Sequence, residues 1–278
     1  MGGISPPSLP IDHLTSMTEQ RSPSRDTSPR EWFEDWFNHP LYLKVYSHRD
    51  DAEANRCVET ILRVTGLDRE PGKASVLDIA CGAGRHAFAF SRKGHQVTAN
   101  DLSAFLLSTA ESEAVNSGLD IAFSGCDMRT IRLDRQFDLV VQLFSSFGYF
   151  KTEEEDRSVL RNVQLLLCPS GWYVLDLLNP SWLGSHFVPR NEKKAGALSI
   201  TEERTLSDNQ VVKRIDICDA EGHRVSFTES MKLFSPGKIT ALLESEGFEV
   251  LRLLGDYDGS EFVAESSPRI LLFSRKRS

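Results

Sequence analysis

The run Val76-Leu77-Asp78-Ile79-Ala80-Cys81-Gly82-Ala83-Gly84-Arg85-His86-Ala87 constrains the fold more than any other stretch of this 278-residue chain. Residues 76–80 read as a short buried strand, and the pattern that follows reads as a helix over about 84–93. Glycines at a strand-to-helix turn remove side chains where a ligand can approach the backbone. The helix N-terminus there presents free N–H groups. Gly82-x-Gly84-x-x-Ala87 also satisfies the dinucleotide fingerprint. That signal is weak alone, because a tight turn without a ligand uses the same residues.

The rest of the chain supplies the context. Strand-like runs at 95–100, 120–123, 137–143 and 172–178 alternate with helical patterns at about 103–117 and 153–167, the first capped by Ser103. This alternation predicts an α/β fold with a doubly wound, mostly parallel seven-stranded sheet. The rhythm changes between 181 and 235. Three strand-like runs at 198–206, 210–218 and 223–234 are separated only by turn residues, which predicts an inserted antiparallel β-meander. A helix at about 236–246 and two strands, 248–254 and 269–273, close the chain, the strands as a final antiparallel hairpin. Upstream, Asp50 and Asp51 can cap a helix that ends near Gly66. Residues 1–29 mix prolines, serines and charges with few large apolar residues and are expected to be a disordered tail before one domain at 30–278.

Composition narrows the partners. The net charge of −8 argues against phosphate backbones and anionic lipid. Five cysteines without a C-x-x-C pair argue against a disulfide framework or a structural zinc site and fit a reducing, cytoplasmic setting. No apolar run approaches the roughly 18 residues that span a bilayer, and the N-terminus lacks the layout of a secretory signal. The expectation is a cytoplasmic protein with no membrane or metal partner, whose charge disfavours nucleic acid without excluding it.

Two further acids sharpen the glycine turn. Asp101 ends the second strand, where a carboxylate can accept from ribose hydroxyls; its other reading is a cap for the next helix, a need Ser103 already meets. Asp127 follows the third strand. One nucleoside lying across three strand ends explains all three positions, on the edge where open α/β sheets bind ligands.

Leu77–Gly84 resembles motif I of the class I S-adenosylmethionine (SAM)-dependent methyltransferases. Val97–Ser103 is similar to their second-strand acid motif, Asp127-Met128-Arg129 to the third, and Phe137–Val141 to the fourth strand. The resemblance implies SAM as cofactor. It puts Asp78, Ala80, Gly82 and Gly84 at its methionine part, Asp101 on the ribose, Leu102 against the adenine, and Asp127 and Met128 on the adenine polar edge. Leu143 would line the pocket beside the sulfonium. Tyr42 and Tyr46 lie where many relatives hold an aromatic over the cofactor, with packing of the first helix as the alternative. Arg85 would pair with the SAM carboxylate or with Asp78, with solvent exposure as the alternative. The run 143–150 and the meander are similar to bacterial small-molecule methyltransferases, sugar N-methyltransferases among them. No Asn/Asp-Pro-Pro-Tyr motif is present, which counts against DNA and some RNA targets.

The implied reaction is in-line methyl transfer to a small-molecule acceptor, achieved mainly by proximity and orientation. A base is needed only when the nucleophile arrives protonated. Tyr149, His186 and Tyr46 are the candidates, against pocket lining for Tyr149 and a polar loop position for His186. The meander is expected to wall the acceptor pocket or to form a homodimer contact. The competing functions are an NAD(P)-dependent oxidoreductase, a SAM-binding module without turnover, and methylation of a protein or RNA. Asp78 inside the first strand argues against the oxidoreductase, whose dinucleotide sites usually keep that position apolar.

Overall fold

The computed structural model describes residues 30–47, 51–69, 73–207 and 209–277. The expected tail at 1–29 and the cap at Asp50 lie outside the described residues. The chain divides into two compact units.

The larger unit holds residues 49–187, 208–210 and 231–278. Its strands are β1 (Ser75–Ile79), β2 (Gln96–Asn100), β3 (Ile121–Ser124), β4 (Phe137–Gln142), β5 (Leu167–Leu178), β10 (Phe248–Leu254) and β11 (Arg269–Lys276). They form one sheet in the order β10-β11-β5-β4-β1-β2-β3. The pairs β1–β2, β1–β4, β2–β3 and β4–β5 are parallel, whereas β11–β5 and β10–β11 are antiparallel. This is the doubly wound sheet and closing hairpin that the alternation predicts. Its helices are α3 (Asp51–Thr65), α4 (Arg85–Arg92), α5 (Ala104–Asn116), α6 (Glu153–Leu166), α7 (Pro180–Ser185) and α8 (Pro236–Ser245).

Local chemistry explains these boundaries. Ser103 caps α5 by accepting from the Leu106 N–H, and Thr152 opens α6 in a capping box with Glu155. Pro236 follows the Ser235 cap of α8, where a missing N–H costs nothing. Cys57, Val58 and Ile61 on one face of α3 are fully buried and join Val76, Leu139, Val141, Val174, Leu271 and Phe273 in the main core. Full burial of one such aliphatic side chain stabilises by about 1.5–3 kcal/mol. β5 begins five residues before its expected start at Trp172 and follows α6 directly. Ser170 with φ 58° and Gly171 read as a turn, and the β4–β5 register does shift there, between Phe137 and Leu139.

The smaller unit joins residues 30–47 to the meander at 188–207 and 211–230. It holds α1 (Trp32–Phe37) and α2 (Leu41–Val45), with β6 (Arg190–Ala195), β7 (Leu198–Ser207), β8 (Gln210–Cys218) and β9 (Arg224–Lys232) as a four-stranded sheet in sequence order. The sequence reading gives three of these strands. β6 escapes it because Arg-Asn-Glu-Lys-Lys-Ala has no apolar alternation; it is an edge strand, where charge is tolerated and discourages further pairing. Leu198, Ile200, Ile215 and Ile217 bury one sheet face against Trp36, Leu41 and Val45.

Candidate functional site

The C-terminal ends of β1, β2 and β3 lie in register, Ile79 opposite Asn100 and Asn100 opposite Ser124. Asn100 secures this edge: its Nδ2 donates to the Cys126 carbonyl and its Oδ1 accepts from the Cys126 N–H, each at 3.0 Å. After β1 the backbone turns sharply, with left-handed φ at Ala80 (57°), Gly82 (58°) and Gly84 (88°). The two glycines serve different needs. A Cβ on Gly84 would sit 2.6 Å from the Phe88 ring, so packing of α4 demands glycine there. A Cβ on Gly82 would meet nothing within 4 Å, so that position keeps open space at the sheet edge.

Asp101 is buried, and its carboxylate accepts from two backbone amides, Gly82 N–H at 2.7 Å and Ser103 N–H at 2.8 Å. It therefore stitches the glycine turn to the start of α5, while the Ser103 hydroxyl caps the helix itself. Each carboxylate oxygen has a second acceptor direction beyond these bonds. Burial raises the Asp101 pKa to about 6, against the opposing pull of the two amides.

Asp78 is more extreme. It is buried, and its Oδ2 finds no hydrogen-bond partner among the described residues. Burial, and secondarily the charge on Asp101, raises its pKa to about 8; Arg85 opposes the shift. A buried carboxylate oxygen without a donor is costly, and a cation binding beside it would relieve that cost.

Asp127 is chelated by Arg129, with Nη2 at 2.6 Å, and accepts from the Arg129 N–H at 2.8 Å. Arg129 continues to Glu155 at 2.9 Å and stacks over Phe150. The Met128 sulfur accepts from Gln142 and its carbonyl from Asn162. Leu102 is an exposed large hydrophobe at the same edge, and Leu143 is buried just after β4. Arg85, the first residue of α4, pairs with Glu53 at 3.2 Å and lies 5.5 Å from the Phe144 ring centre. Its pairing is thus with a residue the sequence reading did not consider.

The surroundings of the remaining candidates are as follows. Tyr42 packs edge-on against Trp36 and Phe37 in the smaller unit. The Tyr46 hydroxyl donates to Glu229, which also accepts from the Trp36 indole and pairs with Lys213. Tyr149 is half-buried after β4. His186 is exposed at the end of α7, its ring stacked 4.4 Å from Trp182 and its Nδ1 3.0 Å from the Trp182 carbonyl.

One group escaped the sequence reading. Asp176 in β5 is fully buried. Its carboxylate accepts from Arg269 Nε at 2.5 Å and Nη2 at 2.9 Å, the Tyr257 hydroxyl at 2.6 Å and the Phe144 N–H at 2.7 Å. The available signal was a charge inside the apolar run Leu175-Asp176-Leu177, matched by an arginine opening the apolar run 269–273. Beside the cluster lies a cavity of about 400 Å³ lined by Phe144, Trp182, Tyr257, Arg56 and Glu53.

An open, mostly parallel sheet with a bare glycine turn, a carboxylate anchored at the second strand end and a buried acid with one donorless oxygen beneath it defines a nucleoside-binding α/β enzyme class. The comparisons with known proteins specify it. Residues 76–171 match the family model described as "Methyltransferase domain". A putative methyltransferase, YqeM, of Bacillus subtilis is 28% identical over 245 residues, 86% of this chain and 95% of that protein. The dTDP-3-amino-3,4,6-trideoxy-alpha-D-glucopyranose N,N-dimethyltransferase of Streptomyces venezuelae is 31% identical over 170 residues, 61% of this chain and 65% of that protein. A SAM-dependent methyltransferase of Clostridium acetobutylicum superimposes with a TM-score of 0.74 at 18% identity, covering 86% of this chain and 97% of its own. The chain thus carries a methyltransferase domain on the fold of the SAM-dependent methyltransferases, and it is similar to methyltransferases over most of its length.

Proposed function

We propose that this protein transfers the methyl group of SAM to a nucleophilic nitrogen on a small molecule, in the manner of the amino-sugar dimethyltransferase it resembles. The observation that supports the cofactor half is the buried, donorless Oδ2 of Asp78 beneath an open glycine turn. The methionine ammonium supplies the missing donor. Asp101 accepts from the ribose hydroxyls with its spare lone pairs, and Gly82 lets the tail approach the backbone. Leu102 covers the adenine, and Asp127 and Met128 meet its polar edge. Leu143 lines the sulfonium side.

When bound, SAM supplies an electrophilic methyl group on a sulfonium. The chain's own contribution is to hold that group and the acceptor in line and to exclude water. No residue is asked for covalent work. An amine that arrives neutral needs no base, and the exposed His186 and half-buried Tyr149 serve at most to take up the proton it releases. The acidic chain favours a small acceptor over nucleic acid, and no helix among the described residues is long and apolar enough to cross a membrane. We place the reaction in the cytoplasm, where SAM and thiols in the reduced state are found together.

Calorimetric titration with SAM, S-adenosylhomocysteine (SAH) and NAD tests the cofactor. Transfer of label from methyl-labelled SAM into a metabolite extract and into dTDP-linked amino sugars tests the acceptor class. Binding of SAH together with label in a small amine is the expected result. Binding of NAD alone, or label only in protein or RNA, overturns the reading.

A further inference from the structure

Phe144 and Ser145, directly after β4, both have left-handed backbones, φ 60° and 61°. Such a conformation costs an L-residue roughly 1–2 kcal/mol, and for a bulky aromatic it is an outlier that its surroundings must impose. The surroundings are identifiable. The Phe144 N–H donates to the Asp176 carboxylate at 2.7 Å, and the Ser145 N–H to the Asp176 carbonyl at 3.1 Å. One residue of β5 therefore takes both amides of the turn. Arg269 closes the clamp from the other side, donating to the Ser145 hydroxyl at 2.8 Å while it chelates Asp176. Tyr257 adds the fourth bond to the carboxylate.

Stability alone is a poor reason for this arrangement. A buried ion pair is often neutral or worse than apolar residues of the same volume, and here it enforces strain instead of relieving it. Its product is the placement of one ring. Two guanidinium groups lie over the Phe144 ring, Arg85 at 5.5 Å and Arg269 at 5.4 Å from its centre. Arg85 opens the helix after the glycine turn, so the ring stands where the cofactor edge meets the cavity of about 400 Å³. Phe144, Tyr257 and Arg269 all line that cavity. The next residue of the turn, Ser146, is buried with a hydroxyl that has no partner among the described residues.

We propose that Asp176 is a positioning residue: with Arg269 and Tyr257 it clamps the strained Phe144–Ser145 turn and so fixes the wall against which the acceptor is delivered. The proposal rests on the methyl-transfer reading, because the wall matters only if an acceptor uses it. It separates two effects that a merely structural role would mix. Loss of the clamp misplaces the acceptor and leaves the nucleoside edge at β1–β3 untouched.

The test uses the full chain with 4-fluorophenylalanine at position 144, alone and combined with Asp176→Asn or with the milder Tyr257→Phe. Fluorine NMR reports the ring, calorimetry with SAH reports the cofactor edge, and methyl transfer to a dTDP-linked amino sugar reports turnover. We expect one sharp fluorine resonance in the parent protein and a broadened or split one in Asp176→Asn, with SAH affinity within about threefold. A misplacement of about 1 Å can cost about 10²-fold in rate, so kcat is expected to fall by about that factor in Asp176→Asn. Tyr257→Phe removes one of the four bonds to the Asp176 carboxylate and predicts a smaller fall, of roughly tenfold. A single unmoved resonance in both variants, or SAH binding that weakens in parallel with kcat, overturns the proposal. If the parent protein does not bind SAH, the methyl-transfer reading fails, and the fluorine spectra still decide whether Asp176 holds the turn.

Discussion

The two halves of the sheet edge are built in opposite ways. Over β1–β3 the polar groups come from short stretches of sequence and are left with unused capacity: Asp78 has a donorless oxygen, Asp101 has spare lone pairs, and Gly82 borders open space. Over β4, β5 and β11 they come from positions far apart, 144, 176, 257 and 269, and they saturate one another. A half with unspent hydrogen-bonding capacity can bind a ligand of fixed chemistry. A half whose buried charges satisfy one another can shape a wall while leaving the choice of acceptor to the residues mounted on it.

The contrast can be broken by substitution, beginning where the effect should be greatest. Gly84→Ala places a methyl group 2.6 Å from Phe88 at a left-handed position. Overpacking and backbone strain together predict a loss of about 3 kcal/mol or more, seen as a lower midpoint in denaturant. Gly82→Ala has no such clash; it should cost roughly 1–2 kcal/mol in backbone strain, and its larger signature should be weakened SAH binding. Equal stability loss in the two variants would erase the distinction between a packing glycine and a ligand glycine.

In the saturated half, Arg269→Met strands the buried Asp176 carboxylate and should cost about 3–5 kcal/mol. Arg190→Ala, on an exposed pair with Glu192 in the meander, should leave the melting temperature nearly unchanged. Thermal melts of both variants check this order.

Acidity sharpens the comparison further. Both edge acids titrate above the ordinary carboxylate value of 3.8, Asp101 at about 6 and Asp78 at about 8. A carboxyl group whose pKa is raised by folding contributes stability that is full below its unfolded value and is lost as pH rises through its folded value. The unliganded protein should therefore lose stability from Asp101 between about pH 4 and 6, and from Asp78 between about pH 4 and 8. Asp78→Asn should flatten the second loss, which denaturant titrations across that range would reveal. Ligand binding adds a sign of its own. If Asp78 takes the methionine ammonium, SAH binding at pH 7 releases a proton. Calorimetry in two buffers of different ionisation enthalpy would detect it, and proton uptake would contradict the assignment.

The open half was legible in the sequence because its chemistry is local. Strand, glycine turn and helix are consecutive, and the acids at 101 and 127 end the next two strands, so spacing alone brings them to one edge. Asp101 carried more than expected. Its bonds to Gly82 and Ser103 make it part of the turn as well as of the site, which spacing does not reveal. The saturated half was illegible because no local pattern links Asp176 to Arg269; only the antiparallel pairing of β5 with β11 brings them together. Edge strand β6 was missed for a related reason, since its charged residues suit an edge and break the alternation used to find strands.

The most direct test is SAH affinity measured beside stability on Asp101→Ala. Hydrogen bonds to a charged group contribute roughly 1.5–3 kcal/mol, and about 1.4 kcal/mol is tenfold in affinity. The account predicts that SAH binds the parent protein and binds Asp101→Ala at least about tenfold more weakly. It also predicts a stability loss of about 1–3 kcal/mol, because the Gly82 and Ser103 amides lose their acceptor. Asp101→Asn should fall between the two in both measures, since its amide oxygen still accepts. Lost stability with SAH affinity unchanged would show that the carboxylate only holds the turn, and it would contradict the assignment of this edge to the nucleoside of SAM.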